Sequence, residues 1–330
     1  MPSINGQEVG PVGYGLMGLT WRANPVSEEQ AFEAMKASLQ GGCNFWNGGE
    51  FYGNPSYNSM VLLERYFAKH PEDADKVVLS IKGGIDVTTL VPDGSAAGVR
   101  RSLDSCLAQL KGRKKIDVFE CARRDQNVPL SETLGTIQRE YVETGKIGGI
   151  ALSEVSAATI HEAVKLTKVV AVEVELSLWA LDVLHNGVAA ACAQYGIPLV
   201  AYSPMGRGFL TGQVKSTADL PEGDFRHHLP RFQKENMEAN AGLLATVEQL
   251  ARKKSCTPAQ LAINWVRCLS GRPGMPQQVI PIPGATAASR VQENSTLVEL
   301  TDDDMAEIQE AISKFEVKGG RYPDGALINT

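Results

Sequence analysis

Val169-Val170-Ala171-Val172 is apolar at four consecutive positions, and the run reaches Val174 with one acid, Glu173, inside it. A strand with one face in water alternates; one apolar on both faces belongs to a parallel sheet covered by helices. Outward from this stretch the same unit recurs, a short β-branched run and then a segment with apolar residues at helical spacing. Toward the N-terminus the predicted strands are Ile147 to Leu152, Ile116 to Cys121, Val77 to Ile81, Cys43 to Trp46 and Val9 to Tyr14, with helices over about Ala157–Leu166, Glu132–Glu143, Ala96–Leu110 and Ser59–Lys69. The first helix opens at Ser27, with Gln30 three residues on in a capping-box pattern ahead of Phe32, Met35 and Leu39, and ends at Gly41-Gly42. Toward the C-terminus come a helix over Val188–Tyr195, a strand Leu199 to Tyr202, helices over Met237–Lys253 and Thr257–Cys268, a strand Val279 to Ile282, and helices near Ala288 and over Asp303–Lys314. Eight such units predict a closed (β/α)8 TIM barrel rather than a doubly wound sheet. Asn5-Gly6 predicts an N-terminal hairpin that plugs one end, the last helices are additions to the barrel, and no linker divides residues 1–330.

The 330 residues are 43% hydrophobic, enough for a large core, with 32 basic and 38 acidic side chains and a net charge of −6. No basic block longer than Arg113-Lys114-Lys115 offers a nucleic-acid footprint. The start Met1-Pro2-Ser3-Ile4 has no signal-peptide character and no stretch is apolar enough to span a membrane, so a soluble, cytoplasmic protein is expected. Six cysteines lack ligand spacing and read as small buried hydrophobes, and His227-His228 reads as an exposed loop pair, so no metal is expected.

Active sites in this fold sit at the C-terminal strand ends. There lies Trp46-Asn47-Gly48-Gly49-Glu50-Phe51-Tyr52-Gly53, with Tyr52 in the loop past the second strand and Lys82 at the end of the third. A lysine beside a phenol favours the phenolate and suits proton delivery to a carbonyl oxygen. The alternative is an interfacial tyrosine and a solvated lysine. Gly13-Tyr14-Gly15-Leu16-Met17-Gly18 matches a dinucleotide pattern, but Leu19-Thr20-Trp21-Arg22-Ala23-Asn24-Pro25 follows instead of the helix that a true fingerprint opens, so it is not read as a Rossmann signal.

The chain resembles the aldo-keto reductases along nearly its whole length. In that family strand two ends in Asp with a Tyr five residues on, strand three ends in Lys and strand four in His; here those positions hold Asn47, Tyr52, Lys82 and Ala122. The resemblance implies a cofactor cradle of Ser153 and Glu173 for the carboxamide, the Tyr202-Ser203-Pro204-Met205-Gly206-Arg207-Gly208 segment for nicotinamide and pyrophosphate, and Gly284, Thr286, Arg290, Glu293 and Asn294 for the adenosine end. Arg290 at the 2′-phosphate position favours NADPH. Asn47 and Ala122 together with Gly320-Arg321-Tyr322 resemble the fungal pyridoxal reductase group, which implies reduction of an aldehyde, pyridoxal to pyridoxine, with Tyr52 as proton donor.

Exchange of Asp for Asn47 is expected to take away the counter-charge of Lys82, leaving the amide oxygen to orient the amine. Glu50 is a candidate substitute carboxylate. Ala122 is expected to make room for a substituted aromatic aldehyde, with Trp21, Phe51, Trp179 and Tyr322 as candidate walls and Ser216 to Glu235 as a lid or surface insertion. Two other readings stay open: a general aldehyde or ketone reductase, and a non-catalytic NADP-binding regulatory subunit. The sequence leaves the oligomeric state open.

Overall fold

The computed structural model describes residues 1–330. Eight parallel strands stand side by side in chain order: Tyr14–Gly15, Phe45–Gly49, Val78–Gly83, Val118–Cys121, Ile150–Ser153, Val169–Glu175, Leu199–Tyr202 and Val279–Ile282, called here barrel strands one to eight. The ring closes between strands one and eight: Gly13 N donates to Pro281 O at 2.9 Å, Gly15 N to Pro283 O at 3.1 Å, and Gly15 bridges Gly284. Glycine is needed at this seam, because a Cβ on Gly13 would lie 2.8 Å from the Phe45 carbonyl oxygen.

The expected hairpin is present as Ser3–Ile4 paired with Gln7–Glu8, and fully buried Ile4 seals the N-terminal end of the barrel. Strand one is shorter than expected. Val9 N is bound to Pro2 O and Gly10 N to the Asn44 side chain, while Pro11 has no N–H to offer, so only Tyr14–Gly15 joins the ladder. Strands two and three run further than expected, to Gly49 and Gly83, with Gly49 opposite Lys82. The helices Ser59–Lys69, Ala96–Leu110 and Val188–Tyr195 have the predicted bounds; the fourth-unit helix is Leu130–Ile137 followed by a π turn over Gln138–Val142. Only a one-turn helix, Met17–Thr20, follows the glycine-rich first strand. No helix is long and apolar enough to cross a membrane.

Alternation along the strands then builds the site. Inward positions recur every second residue. At the sealed end the interior is Phe45, Val78, Val118, Ala151 and Ala171. Two residues further along the same strands stand Asn47, Ser80, Glu120, Ser153 and Glu173, and beyond Ser80 comes Lys82. The barrel lumen therefore changes from hydrocarbon to charge within one strand repeat. All five of those polar residues and Lys82 are buried.

Candidate active site

Lys82 stands at the centre of the polar layer. Its Nζ donates to Asn47 Oδ1 at 3.0 Å, lies 3.1 Å from Glu120 Oε1, and makes a tight ion pair with Glu173 Oε1. The Asn47 amide donates to Glu173 Oε2 at 2.7 Å and approaches Glu120 Oε1 at 3.4 Å. One cation thus faces two carboxylates, all but excluded from solvent.

This corrects the expectation that Asn47 strips Lys82 of its counter-charge. The carboxylates arrive from strands four and six instead of strand two. Burial alone would lower the lysine pKa; Glu120 and Glu173 reverse that and hold it above the usual amine range. Glu173 is pushed well up, by burial and then by the neighbouring Glu120, because like carboxylates in one dry site resist joint ionisation. Both Glu173 oxygens are engaged by Lys82 and Asn47, which sets it in the lysine network rather than open toward a carboxamide. Glu50, the other candidate acid, is turned away: Ser102 Oγ donates to its Oε2 at 2.5 Å.

Tyr52 is fixed just past strand two. Thr20 Oγ1 donates to its carbonyl at 2.6 Å, the Trp21 ring stacks on it at 5.5 Å, and Phe51 meets it edge-on at 4.7 Å. Gly49 is required beneath the ring, since a Cβ there would lie 3.0 Å from it. The Tyr52 pKa is pushed up to about 12, by burial first, with Lys82 opposing and Glu173 and Glu120 adding to the rise. The phenol is therefore the protonated species, an acid in place, and the lysine does not act on it undiluted.

Around the mouth, strained backbone gathers at the strand ends. Glu154, Ser203 and Arg207 all have left-handed φ, at 53°, 51° and 55°, in a conformation that costs a non-glycine residue about 1–3 kcal/mol. Gly206 and Gly208 share it at 58° and 98°. This is the segment expected to cradle phosphates; within it the N–H groups of Gly206 and Gly208 are bonded to Ser203 O at 2.9 Å and Met205 O at 3.2 Å, while that of Arg207 between them makes no backbone bond. Ser153 Oγ is buried without a partner. Pro204 is buried behind the turn.

Sequence reasoning missed the network that spans this mouth. Arg207 pairs with Glu175 at 2.9 Å, and Arg321 from the tail pairs with Glu154 at 3.1 Å, Glu175 at 3.0 Å and Asp182 at 3.4 Å. Tyr202 Oη donates to Glu154 Oε1 at 2.8 Å and lies 2.9 Å from Tyr322 Oη. Tyr322 therefore does reach the site, as expected, and Ala122 is buried at its edge. A signal for the acids existed: Glu120, Glu173 and Glu175 all interrupt apolar strand runs at inward spacing. Trp21 meets Tyr52, and Phe225 of the polar insertion stacks on Trp21 at 6.5 Å, which brings part of the expected lid over the site. Trp179 is not a wall; it is buried on Phe209 at 4.1 Å with Arg231 across its other side.

The adenosine-end residues lie together on the first strand's side of the barrel. Gly284 is bridged to Gly15, the Thr286 carbonyl accepts from Gln30 at 2.7 Å, and the Ala288–Ser295 helix carries half-exposed Arg290, Glu293 and buried Asn294. Arg290 pairs with Glu293 at 2.7 Å, an intrahelical contact that a bound anion can replace.

The comparisons agree with this architecture. Residues 11–313 match the model of the aldo/keto reductase family. The chain is 40% identical to "Probable pyridoxal reductase 2" of Schizosaccharomyces pombe over 98% of this chain and 97% of that one. It is likewise 40% identical to "Putative pyridoxal reductase" of Saccharomyces cerevisiae, over 94% and 95%. Among solved structures, the glycerol dehydrogenase of Gluconobacter oxydans superposes with a TM-score of 0.81 at 20% identity, covering 98% of each chain, a likeness of fold. With the tyrosine and lysine at the C-terminal ends of strands two and three of a (β/α)8 barrel and a family match over nearly the whole chain, this protein belongs to the aldo/keto reductases, oxidoreductases that use NAD(P)H.

Proposed function

We propose that the protein reduces an aromatic aldehyde with NADPH, pyridoxal to pyridoxine foremost. The observation that carries this reading is Tyr52, protonated and buried, within the field of Lys82 and the Glu120–Glu173 pair. The names of the two fungal relatives support the choice of pyridoxal.

The residues present fit the cofactor. Ser153 Oγ is a buried hydroxyl awaiting a partner, and the left-handed turn from Ser203 to Gly208 suits a pyrophosphate. Ser153 and Tyr202 would meet the nicotinamide, Ser203, Pro204, Gly206 and Gly208 the pyrophosphate, and Gly284, Thr286, Arg290, Glu293 and Asn294 the adenosine with its 2′-phosphate. Bound there, NADPH supplies the hydride that reduces the carbonyl carbon.

The chain supplies the proton and the field. Tyr52 Oη gives its proton to the carbonyl oxygen as negative charge develops there, and the Lys82 ammonium beside it stabilises the phenolate left behind. Asn47, Glu120 and Glu173 position the ammonium and keep it charged. Glu173 thereby acts through Lys82 and not on the carboxamide. On this reading the flat, substituted ring would lie beside the Trp21 ring and the small Ala122.

The test is oxidation of NADPH by the purified protein with pyridoxal, beside pyridoxal 5′-phosphate, a plain aromatic aldehyde and NADH. Turnover of pyridoxal that needs NADPH and is lost in Tyr52→Phe is the expected result. Turnover of the plain aldehyde alone would replace pyridoxal by a general carbonyl substrate. Tight NADPH binding without turnover of any aldehyde would leave a regulatory subunit in place of an enzyme.

A further inference from the structure

Three guanidinium groups surround the ring of Tyr322: Arg207 at 4.5 Å, Arg123 at 5.5 Å and Arg321 at 5.9 Å from its centroid. Two of them are matched by acids. Arg207 is held by Glu175, and Arg321 by Glu154, Glu175 and Asp182. Even the adjacent Arg124 has Glu162 at 3.2 Å and Thr159 at 2.6 Å. Arg123 makes no ion pair; its one hydrogen bond goes from Nη1 to the carbonyl of its own neighbour, Ala122, at 2.5 Å.

A guanidinium cannot shed its proton to escape this situation. It presents five donors in a fork shaped for two oxygens, and leaving such a group half-buried with one acceptor is costly. Burial works against the charge of Arg123, and the groups around it that favour it are Tyr202, Tyr322, Glu154 and Tyr52, all residues of the site. Arg123 follows directly on the buried Ala122, just past the end of strand four at Cys121.

We propose that Arg123 is a specificity residue that receives an anionic oxygen of the substrate, borne on the aromatic ring beside the aldehyde. The inference rests on the reductase reading above and deepens it. An aldehyde oxygen placed on Tyr52 leaves the neighbouring ring substituent on the side of Ala122 and Arg123. Pyridoxal has an ionised ring hydroxyl at that position; a plain benzaldehyde has nothing there. The preferred substrates are then ortho-oxyanionic aromatic aldehydes, and Tyr322, lying against the guanidinium, keeps the fork in place.

The experiment compares a matched pair: 5-nitrosalicylaldehyde, whose hydroxyl is ionised at neutral pH, and 3-nitrobenzaldehyde, which lacks it, in the wild-type protein and in Arg123→Gln and Arg123→Lys with saturating NADPH. The expected result is that Arg123→Gln lowers kcat/KM for the hydroxylated aldehyde about ten- to hundredfold more than for its partner, mainly through KM, the range for a lost hydrogen bond to a charged group. Arg123→Lys recovers part of the loss, since it restores the charge without the fork. An equal fall for both aldehydes would overturn the proposal and make Arg123 a support for Tyr322. A second readout needs no turnover: benzoate binding to the NADPH-loaded protein, followed by tryptophan fluorescence, weakens in Arg123→Gln. Unchanged benzoate affinity would overturn the anion site even if both aldehydes react. Benzoate binding that depends on Arg123 without turnover of either aldehyde would sink the reductase reading and leave the anion site standing. Should Arg123→Gln fail to fold, Arg123→Lys carries both readouts.

Discussion

The floor of the site and its mouth are both charged and both nearly dry, yet they are assembled from different kinds of chain. On the floor, Asn47, Lys82, Glu120 and Glu173 come from four barrel strands whose pairing is set residue against residue. At the mouth, Glu154 and Glu175 are gathered by Arg207, in a left-handed turn, and by Arg321, which lies 167 residues from Glu154 in sequence. A floor residue cannot move without opening the ladder, whereas the mouth can come apart by releasing a tail and a loop. The proton chemistry is therefore placed where geometry is enforced, and access is placed where it can change.

The largest effect expected is on the floor. Tyr52→Phe removes the acid and should lower kcat by roughly 10²- to 10⁴-fold, with NADPH affinity retained in a fluorescence titration. Next comes Glu173→Ala, which removes the tight partner of Lys82 and the acceptor of the Asn47 amide and leaves Glu120 as the one counter-charge; it should cost up to about 3–5 kcal/mol in urea unfolding, the usual range for breaking a buried pair. Arg321→Ala at the mouth should cost less, because Arg207 still holds Glu175 and the freed tail can admit water. Equal losses for these two variants would abolish the distinction between floor and mouth. Ala122→His crowds the strand-four end: overpacking of about 1–3 kcal/mol should appear in urea unfolding, and steric exclusion of the substrate ring as a raised KM for pyridoxal. An unchanged KM would show that the substrate ring lies elsewhere.

The pH profile sharpens the same contrast. Reduction needs Tyr52 protonated, and with its pKa pushed up to about 12 the phenol keeps its proton below that value. No alkaline limb from Tyr52 is then expected in kcat/KM below about pH 11. Glu120→Gln removes one of the negative charges that raise the phenol, so any limb should move down. A limb that moves up would mean that Glu120 acts on Tyr52 in the opposite sense.

Legibility in the sequence follows the same division. Helices such as Ser59–Lys69 and Ala96–Leu110 were readable to the residue, because Asn58 and Ser95 cap them and an apolar face runs their length. Tyr52, Lys82 and Asn47 were readable as a set because all three lie near strand ends in one short region of chain. The Glu120–Glu173 counter-charge was not. Each acid interrupts an apolar run in its own strand, but only the ring of strands brings residues 82, 120 and 173 to one point. Strand one differs for a local reason: Pro11, the bond of Val9 N to the hairpin and that of Gly10 N to the Asn44 side chain remove those residues from the ladder. The mouth was least legible, since nothing in Gly320-Arg321-Tyr322 announces that it pairs with Glu154, or that Tyr322 lies against Arg207.

The smallest effect expected is at the contact between tail and barrel. Tyr322→Phe keeps the ring among its three guanidinium groups and removes only the hydroxyl, 2.9 Å from Tyr202 Oη. Tyr202 retains its bond to Glu154, so the loss should be about 0.5–1.5 kcal/mol, the net value of one hydrogen bond. The hold of the tail should also depend on acid. Burial would raise the Glu154 carboxyl, but Arg321 with Arg123 and Tyr202 outweighs it and keeps the group below its usual range. A carboxyl lowered by folding stabilises the folded state above its unfolded pKa of about 4.3, and that contribution fades as pH falls through the lower folded value. Amide exchange at Thr330, whose N–H is bonded to the Glu154 carbonyl at 3.2 Å, should accordingly quicken, relative to the barrel strands, only well below neutrality, and earlier in Tyr322→Phe. If the tail exchanges in step with the strands at every pH, mouth and floor unfold as one unit, and the tail is part of the barrel rather than a cover upon it.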